Sequence, residues 1–280
     1  MSDEIRITVL VENSVQQRGL MAEHGLSLHV QIGSHSLLFD TGQSGLVVRN
    51  AEALHIPLDR IEAVALSHGH YDHTGGLTAV LAAAPGARIY AHPAAFDEKF
   101  SKGPGGEGRF IGMDPTTARA VRQRPVGLIA TIGCTEVVEG IFATGEIPRA
   151  TAYEDVGGAF FLDAECRRPD PLKDDQALFF ECREGIVVLL GCAHAGVVNT
   201  LLHVDTLTGG KRIHAVLGGM HLLNAAPERL EKTFAALEQR DIRCLAPAHC
   251  TGWAVVPAML QRFSERCTKC DAGSRHVFPR

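Results

Sequence analysis

Three histidines and one aspartate lie within six residues of the segment SHGHYDHTGG. In an extended chain alternate side chains point the same way, so His68 and His70 can hold one metal ion together. Asp72 and His73 follow where the chain turns into a helix, and they project in a second direction. Imidazole suits zinc, iron and nickel, and a carboxylate suits harder ions. The segment therefore predicts ligands for one or two first-row divalent metal ions.

Polar side chains also follow several predicted strands at the point where each strand ends. Apolar runs such as IRITVLV (5–11) and GIVVLLG (185–191) alternate with helical patterns, which is typical of a layered α/β fold. In such folds ligands bind in the crevice beyond the carboxyl ends of the strands. We therefore expect one functional edge, formed by the residues that end these strands: Glu12, Asp40, His68, His194, His221 and His249.

The segment 96–125 differs from the rest of the chain. It has little periodicity and is rich in glycine and basic residues, so we predict a loop or insertion over the active-site edge of a single domain that spans 1–280. Cationic side chains beside glycine-rich backbone can bind a phosphate, although a solvated flexible loop is the alternative interpretation. The predicted substrate contacts are Lys99, Lys102 and Arg109 in this segment and Arg149 beyond it.

Composition limits the classes of function. The chain has 280 residues, of which 45% are hydrophobic and 21% charged, with a net charge of −5. No excess of positive charge is present to neutralise a phosphate backbone, so we expect no nucleic-acid partner. No stretch approaches the roughly 18 apolar residues of a membrane span, so we expect no membrane partner. The expected partner is an anionic small-molecule substrate, and the oligomeric state stays open.

The cysteines and the amino terminus indicate the compartment. Eight cysteines are scattered over residues 134–270 without the spacing of a disulfide framework. The first residues, MSDEIRITVL, carry acidic side chains where a signal peptide has basic ones. We therefore expect a cytoplasmic protein with free thiols.

Two of these cysteines adjoin candidate ligands. Cys192 shares a strand face with His194 and is a candidate to approach a metal ion, whereas Cys250, next to His249, is expected to face the core. Histidines outside the motifs, including His24, are expected to lie on the surface or in the core.

Several motifs together resemble those of the metallo-β-lactamase superfamily. They are VLVEN (9–13), LFDTGQSG (38–45), LSHGHYDHTGG (66–76), GCAHAGVVNTL (191–201), GGMHLL (218–223) and APAHCTG (246–252). Over nearly its whole length the chain is similar to the branch of dihydropteridine (methanopterin-pathway) synthase-like proteins. The resemblance implies an α/β fold of the αββα four-layer sandwich type, with a dinuclear metal site at one edge.

The resemblance also implies a ligand set. By position, the first metal ion is held by His68, His70 and His194, and the second by Asp72, His73 and His249. Asp40 matches an aspartate that supports the ligand loop through hydrogen bonds, and Glu12 is the second predicted supporting carboxylate.

One position departs from the superfamily pattern. The superfamily usually places a bridging aspartate, or sometimes a cysteine, between the positions of His194 and His249, but here the corresponding strand ends in GGMH (218–221). His221 is therefore predicted either as a terminal ligand in that place or as an acid–base residue near the site. A neutral imidazole does not bridge two cations as a carboxylate does.

The leading hypothesis for function is a metal-dependent hydrolase that uses a metal-activated hydroxide. Two divalent ions lower the pKa of a shared water toward neutrality. Asp72 is predicted to orient this water and accept its proton, and His221 or a metal-bound water is predicted to protonate the leaving group. The basic segment favours a phosphoester or phosphodiester small molecule as substrate. Zinc is the expected metal, with manganese and iron as alternatives.

Three other functions stay open. The branch resemblance implies a synthase (transferase) that joins a pterin diphosphate to an aryl-amine ribofuranosyl phosphate. A diiron redox protein is another possibility, although redox relatives usually carry a glutamate where this chain has His70. The last is a non-catalytic metal-binding module.

Overall fold

The computed structural model describes residues 4–124 and 127–280. The first three residues and positions 125 and 126, which include the end of the predicted insertion, lie outside the described residues. The strands are β1 Glu4–Val11, β2 Ser27–Ile32, β3 His35–Phe39, β4 Ala63–Ala65, β5 Arg88–Ala91, β6 Phe100–Lys102, β7 Gly108–Phe110, β8 Leu128–Ala130, β9 Thr135–Val138, β10 Ile141–Ala143, β11 Phe160–Phe161, β12 Ala177–Cys182, β13 Gly185–Leu190, β14 Ile213–Gly219, β15 Cys244–Ala248 and β16 Arg275–Pro279. The helices are α1 Leu46–Ala53, α2 Tyr71–Thr74, α3 Leu77–Ala83, α4 Pro115–Arg122, α5 Val197–Thr208, α6 Pro227–Gln239 and α7 Val255–Phe263.

These strands form two large sheets and one small one. The first sheet has the order β16-β1-β2-β3-β4-β5-β8, and the second has the order β15-β14-β13-β12-β10-β9. In each sheet one half is antiparallel and the other half is parallel, namely β3-β4-β5-β8 in the first and β13-β14-β15 in the second. The parallel halves place several strand ends at a common edge.

Three apolar cores show how the layers stack. Alternate residues of β1, such as Ile7, face the second sheet and pack in one core with residues such as Leu189. A second core lies between the first sheet and α1, α3 and α4, and includes Val47. A third lies between the second sheet and α5, α6 and α7, and includes Phe234. Helices cover both outer faces of two stacked sheets, so the predicted αββα four-layer sandwich is confirmed.

The two sheets meet at the edge beyond β4 and β13. Gln176, just before β12, donates its backbone N–H to the Ser67 carbonyl at 2.9 Å and its side-chain amide to the Leu66 carbonyl at 2.7 Å. Gly191, just after β13, lies so close that a Cβ there would be 2.1 Å from Ser67 Oγ. The segments that follow β4 and β13 are therefore neighbours, although they belong to different sheets.

The segment predicted as a loop or insertion over this edge contains strands and a helix. Within 96–124, strands β6 and β7 form an antiparallel hairpin that joins β11 in a third sheet, and α4 follows. No strands were predicted here because each of these strands is only two or three residues long, which is too short to produce a visible period of two. The backbone N–H of Tyr71 donates to the Ile111 carbonyl at 2.9 Å, so the hairpin region is attached to the histidine-rich segment.

Among the helices of the described residues, none is both long enough and apolar enough to cross a membrane.

Candidate metal centre

The histidine-rich segment runs from the end of β4 into the short helix α2. His70 is the residue before this helix and has an extended backbone conformation, so His68 and His70 lie before the turn while Asp72 and His73 lie within it. Gly69 packs directly against the main chain of Ala95, where a Cβ would be 2.1 Å from the carbonyl oxygen. Only glycine fits this position without displacement of the loop.

A first cluster consists of His68, His70 and His194, which is carried by the segment after β13. The ring centroids are 4.5 Å apart for His68 and His70, 4.8 Å for His68 and His194, and 5.0 Å for His70 and His194. His68 Nε2 lies 2.9 Å from His70 Nδ1. All three side chains are buried. The structure thus brings together the three residues predicted for the first metal ion.

A second cluster consists of Asp72, His73 and His249, which follows β15. His73 Nε2 lies 3.3 Å from His249 Nε2, and Asp72 Oδ2 lies 3.2 Å from His249 Nε2 and 3.8 Å from His73 Nε2. The rings of His68 and His73 are 4.3 Å apart, centroid to centroid. The two clusters are therefore adjacent, and the three residues predicted for the second ion meet in one place.

The orientation of the rings fits metal binding. In four of these histidines Nδ1 contacts a polar neighbour, which leaves Nε2 to face the cluster, as second-shell contacts do in metalloproteins. The Nε2 atom of His194 and that of His70 are buried and have no hydrogen-bond partner in the described part of the chain. The Nδ1 neighbours are Ser67 Oγ for His68 (2.9 Å), Asp40 Oδ2 for His73 (2.7 Å), the Val156 carbonyl for His194 (2.8 Å) and Asn13 Oδ1 for His249 (2.8 Å).

The pKa values of the histidines in the two clusters are also consistent with metal binding. Burial, reinforced by neighbouring imidazoles, lowers the pKa of His68 and of His194 well below the usual value, and burial lowers the pKa of His70 to about 3. Neutral imidazole is the form that binds metal ions. His73 differs: burial opposes its charge, but the carboxylates of Asp40 and Asp72 raise its pKa to about 9. With this pKa, the His73 ring is protonated at neutral pH and carries a positive charge. A bound divalent ion can supply that charge in place of the proton.

Both predicted supporting carboxylates contact the ligand segments. Asp40 accepts hydrogen bonds from the Ser67 backbone N–H at 2.7 Å and from Ser67 Oγ at 2.6 Å, besides its contact with His73. Glu12 Oε1 accepts the backbone N–H of His249 at 2.6 Å. Each carboxylate thus holds the backbone beside a ligand.

His221 lies at the side of the first cluster. Its ring centroid is 4.3 Å from that of His194, and its backbone has a positive φ of 46°. Burial lowers the pKa of its imidazole to about 4. Among the described residues, its ring nitrogens belong to none of the groups whose ligand atoms lie within 4.8 Å of one another. The structure therefore places His221 in the wall of the cavity beside His194.

A cavity of about 270 Å³ opens above the clusters. Its floor includes Asp72 and His249, and its walls include Phe160 from β11, Arg109 from β7 and Leu223 from the segment after β14. The hairpin of β6 and β7 thus forms one side of the site.

The basic residues that were predicted to contact the substrate lie in different environments. Arg109 lines the cavity, whereas Lys102 is exposed on the same hairpin and is not part of the lining. Arg149 donates to the carbonyls of His194 at 2.9 Å and Pro171 at 2.7 Å. Its guanidinium therefore supports the backbone at a ligand and does not face the cavity.

Lys99 is not a phosphate contact. Its ammonium is buried and lies 2.9 Å from both Asp170 Oδ2 and Asp174 Oδ1, because a buried cation requires compensating carboxylates. Asp174 also accepts the Gly69 backbone N–H at 2.7 Å. Lys99 and its two aspartates therefore stabilise the histidine-rich loop through the hydrogen bond to Gly69.

Sequence reasoning missed two contacts. His24, expected on the surface or in the core, has its Nε2 3.2 Å from Asp72 Oδ2, and its ring is 5.0 Å from that of His249. Cys250 was expected to face the core but lines the cavity, because His249 begins a short 3-10 helix that ends the strand alternation. His24 precedes β2 in a segment without any metal-binding spacing, so no sequence signal marks it.

Comparison with known proteins gives the same family. The model of the metallo-beta-lactamase superfamily matches residues 22–249. A protein of Methanocaldococcus jannaschii, 7,8-dihydropterin-6-methyl-4-(beta-D-ribofuranosyl)-aminobenzene-5'-phosphate synthase, is 27% identical over 290 residues, which cover 97% of this chain and 96% of that protein. The chain is thus similar over nearly its whole length to a protein of the branch that its motifs resemble.

Solved structures agree. The crystal structure of Tm1679, a metal-dependent hydrolase of the beta-lactamase superfamily, superposes with a TM-score of 0.82 at 33% identity, over 97% of this chain and 98% of that one. Zn(2+)-bound PqqB from Methylobacterium extorquens shares the fold alone, with a TM-score of 0.58 at 16% identity over 97% and 99% of the two chains. With its sandwich fold, its clustered histidines and these matches, the chain belongs to the metallo-beta-lactamase superfamily.

Proposed function

We propose that this protein is a metal-dependent hydrolase of a phosphoester or phosphodiester small molecule. The observation that carries the proposal is the meeting of two ligand clusters, from segments far apart in the sequence, at the floor of one cavity. A basic residue of the hairpin, Arg109, lines the same cavity and offers a guanidinium to an anionic substrate.

The proposed cofactor is a pair of divalent ions. His68, His70 and His194 would hold the first, and Asp72, His73 and His249 the second. Zinc fits this imidazole-rich donor set, and manganese and iron are the alternatives. When bound, two such ions supply Lewis acidity and lower the pKa of water, which provides a nucleophile at neutral pH.

Asp72 is the proposed general base. Although burial favours its protonated form, the charge of His73 and hydrogen bonds from His24 and His249 hold the pKa of Asp72 well below its usual value. Its carboxylate is therefore ionised and lies in the floor of the cavity, where it can orient the attacking water and accept a proton.

His221 is the proposed proton donor to the leaving group. Burial keeps its imidazole neutral in the free protein. A bound anion beside the ring would raise this pKa, because an opposite charge favours the protonated form. His221 would then be able to donate a proton to the leaving oxygen from the cavity wall.

The test combines metal analysis with a panel of phosphoester, phosphodiester and lactone substrates. We expect two divalent ions per chain by elemental analysis, and turnover that falls at least about a hundredfold in Asp72→Asn. Asp59→Asn changes an exposed aspartate in the short 3-10 helix Leu58–Arg60 before β4 and serves as the matched control. Turnover of Asp72→Asn within about twofold of wild type would exclude the proposed mechanism.

A synthase activity is the second candidate. It is supported by the full-length similarity to the Methanocaldococcus jannaschii synthase. In this reaction the same centre would activate the diphosphate leaving group of a pterin diphosphate. The aryl-amine ribofuranosyl phosphate would displace this diphosphate. Incubation of the protein with both compounds distinguishes the two: condensation supports the synthase, whereas rapid phosphoester cleavage without condensation supports the hydrolase.

Metal analysis also addresses the remaining alternatives. Iron as the metal of anaerobically purified protein would favour a diiron redox enzyme. One filled position, with no turnover on any substrate of the panel, would favour a non-catalytic metal-binding module.

A further inference from the structure

Cys192 lies between the two clusters of the metal centre. It follows β13 by two residues, its side chain is 3% exposed, and its Sγ is 3.1 Å from His73 Nε2. The ligand atoms of Cys192, His68 and His194 all lie within 4.8 Å of one another. The same holds for Cys192, His73 and His249. Its sulfur is therefore the atom that the two groups share.

A second observation points to a ligand at this place. His194 belongs to the same group as Cys192, and its Nε2 is buried without a hydrogen-bond partner in the described residues. His194 itself is 1% exposed. An unpartnered buried nitrogen costs free energy unless another group satisfies it. A metal ion next to the sulfur would do so.

The end of β14 supplies no anionic side chain, although the superfamily pattern would place a bridging ligand there. Gly218 has φ +118°, and a Cβ on it would lie 2.0 Å from the Leu190 carbonyl oxygen. A Cβ on Gly219 would lie 2.4 Å from the Gly191 carbonyl oxygen. Met220 is buried in the core between the second sheet and its helices. This strand end therefore packs directly against the backbone beside Cys192 and presents no ligand of its own.

We propose that Cys192 is a thiolate ligand shared by the two metal positions, in place of the bridging residue that β14 lacks. The assignment rests on the proposed function, because it requires two divalent ions. On metal binding the S–H bond breaks, the proton leaves to solvent and sulfur–metal bonds form. The thiolate adds a second negative charge to that of Asp72 and so reduces the repulsion between the cations.

The proposed ligand also determines metal preference. Thiolate is a soft ligand that favours zinc and cobalt over manganese and magnesium. We therefore expect metal-free protein to bind Zn²⁺ or Co²⁺ at two equivalents and to bind Mn²⁺ more weakly.

The experiment uses Co²⁺ titrated into metal-free full-length protein. A cobalt–thiolate bond produces a charge-transfer absorption in the near ultraviolet, which nitrogen and oxygen ligands do not produce. We expect this band in wild type and its loss in Cys192→Ser, in which one Co²⁺ equivalent also binds at least about tenfold more weakly. Circular dichroism establishes whether Cys192→Ser is folded.

Two cysteine variants are the controls. Cys182→Ala removes a buried thiol in β12, away from the clusters, and Cys250→Ala removes the thiol that donates to the Cys192 carbonyl at 3.5 Å. Both are expected to keep the band. A band that depends on Cys250 and not on Cys192 would overturn the assignment.

X-ray absorption at the zinc edge of wild-type protein keeps the proposal testable if Cys192→Ser does not fold. A sulfur neighbour at about 2.3 Å from zinc is expected. Two bound zinc ions with only nitrogen and oxygen neighbours would overturn the role of Cys192 and leave the hydrolase proposal intact. Absence of any bound metal would overturn both.

Discussion

Individual side chains at the centre are held in orientation by neighbours that do not face the cavity. Asp40 has a positive φ of 62°, and this turn lets its two oxygens reach the Ser67 backbone and His73 Nδ1 at the same time. The contact directs His73 Nε2 toward the cluster. Residues of this kind usually matter for metal affinity nearly as much as the ligands themselves.

Asp40→Asn tests this role. Asparagine has the same shape and tolerates a positive φ, but it lacks the charge and can present an N–H donor toward His73. We expect metal affinity to fall about 10- to 100-fold, measured by competition with a chromophoric chelator. The exposed Asp59→Asn is the control, and equal affinities for the two variants would contradict the assigned role of Asp40.

His29 provides a prediction of pH dependence away from the centre. It is buried in β2, its Nε2 lies 2.8 Å from Ser36 Oγ, and burial lowers its pKa from 6.5 to about 4. Between these values the unfolded chain binds a proton that the folded chain does not, so the free energy of unfolding falls as the pH falls. The lowered pKa of His29 changes the free energy of unfolding by about 3 kcal/mol. This stability is present above pH 6.5 and is lost by about pH 4.

His29→Gln is expected to flatten this part of the pH dependence by a similar amount, as measured by urea unfolding from pH 7 to pH 4. His55→Asn, which changes an exposed histidine after α1, is expected to keep the wild-type slope. Identical slopes for wild type and His29→Gln would show that the burial of His29 has no such effect.

The segment between β4 and α2 depends on contacts with other elements. Gly69 touches the backbone of the short 3-10 helix Pro93–Phe96, and its N–H donates to Asp174, which is paired with Lys99. The loop that carries His68 and His70 is therefore positioned by parts of the chain that contribute no ligand.

Gly69→Ala is expected to displace this loop. The added Cβ meets backbone that has no room to move, so the free energy of unfolding falls by about 1–3 kcal/mol. Metal affinity should fall with it, and both are measured by denaturant unfolding and by metal titration. Gly86→Ala, where a Cβ meets nothing within 4 Å, is the matched control and should leave both properties near wild type.

The molecule as a whole builds its centre from both sheets. The candidate ligands come from the segments after β4 in the first sheet and after β13 and β15 in the second, and Glu12 after β1 holds the backbone of His249. A metal bound there connects the two halves of the sandwich. Because an unfolded chain lacks this arrangement, metal binding stabilises the folded state.

Metal removal is therefore expected to lower the melting temperature. At free metal about 100 times the Kd, the stabilisation is about 2.7 kcal/mol, or roughly 5–10 °C for a chain of this size. Differential scanning calorimetry with a chelator, followed by excess Zn²⁺, measures the loss and its recovery. In His194→Ala the chelator should have little effect. A wild-type melting temperature that does not respond to the chelator would contradict metal binding at this edge.

Much of this arrangement is contained in local patterns. Alternating and continuous apolar runs predict the strands, and the residues that end them predict the functional edge, because parallel strands of a sheet end on the same side. The spacing of SHGHYDHTGG predicts two sets of ligands, since chain geometry alone decides which neighbouring side chains share a direction. The layered α/β class and the convergence of His68, His194 and His249 follow from these signals, whereas the αββα sandwich follows from the family resemblance of the motifs.

Other features depend on packing between distant segments, which no local period encodes. The same side-chain chemistry serves different roles: Lys99 is paired in the interior, Arg149 holds main-chain carbonyls and Arg109 faces the cavity. His24 comes near Asp72 only because separate segments fold against each other. Strand alternation predicts a shared face for Cys192 and His194, but β13 ends at Leu190. The approach of the two sheets is what places the sulfur of Cys192 between both groups of imidazoles.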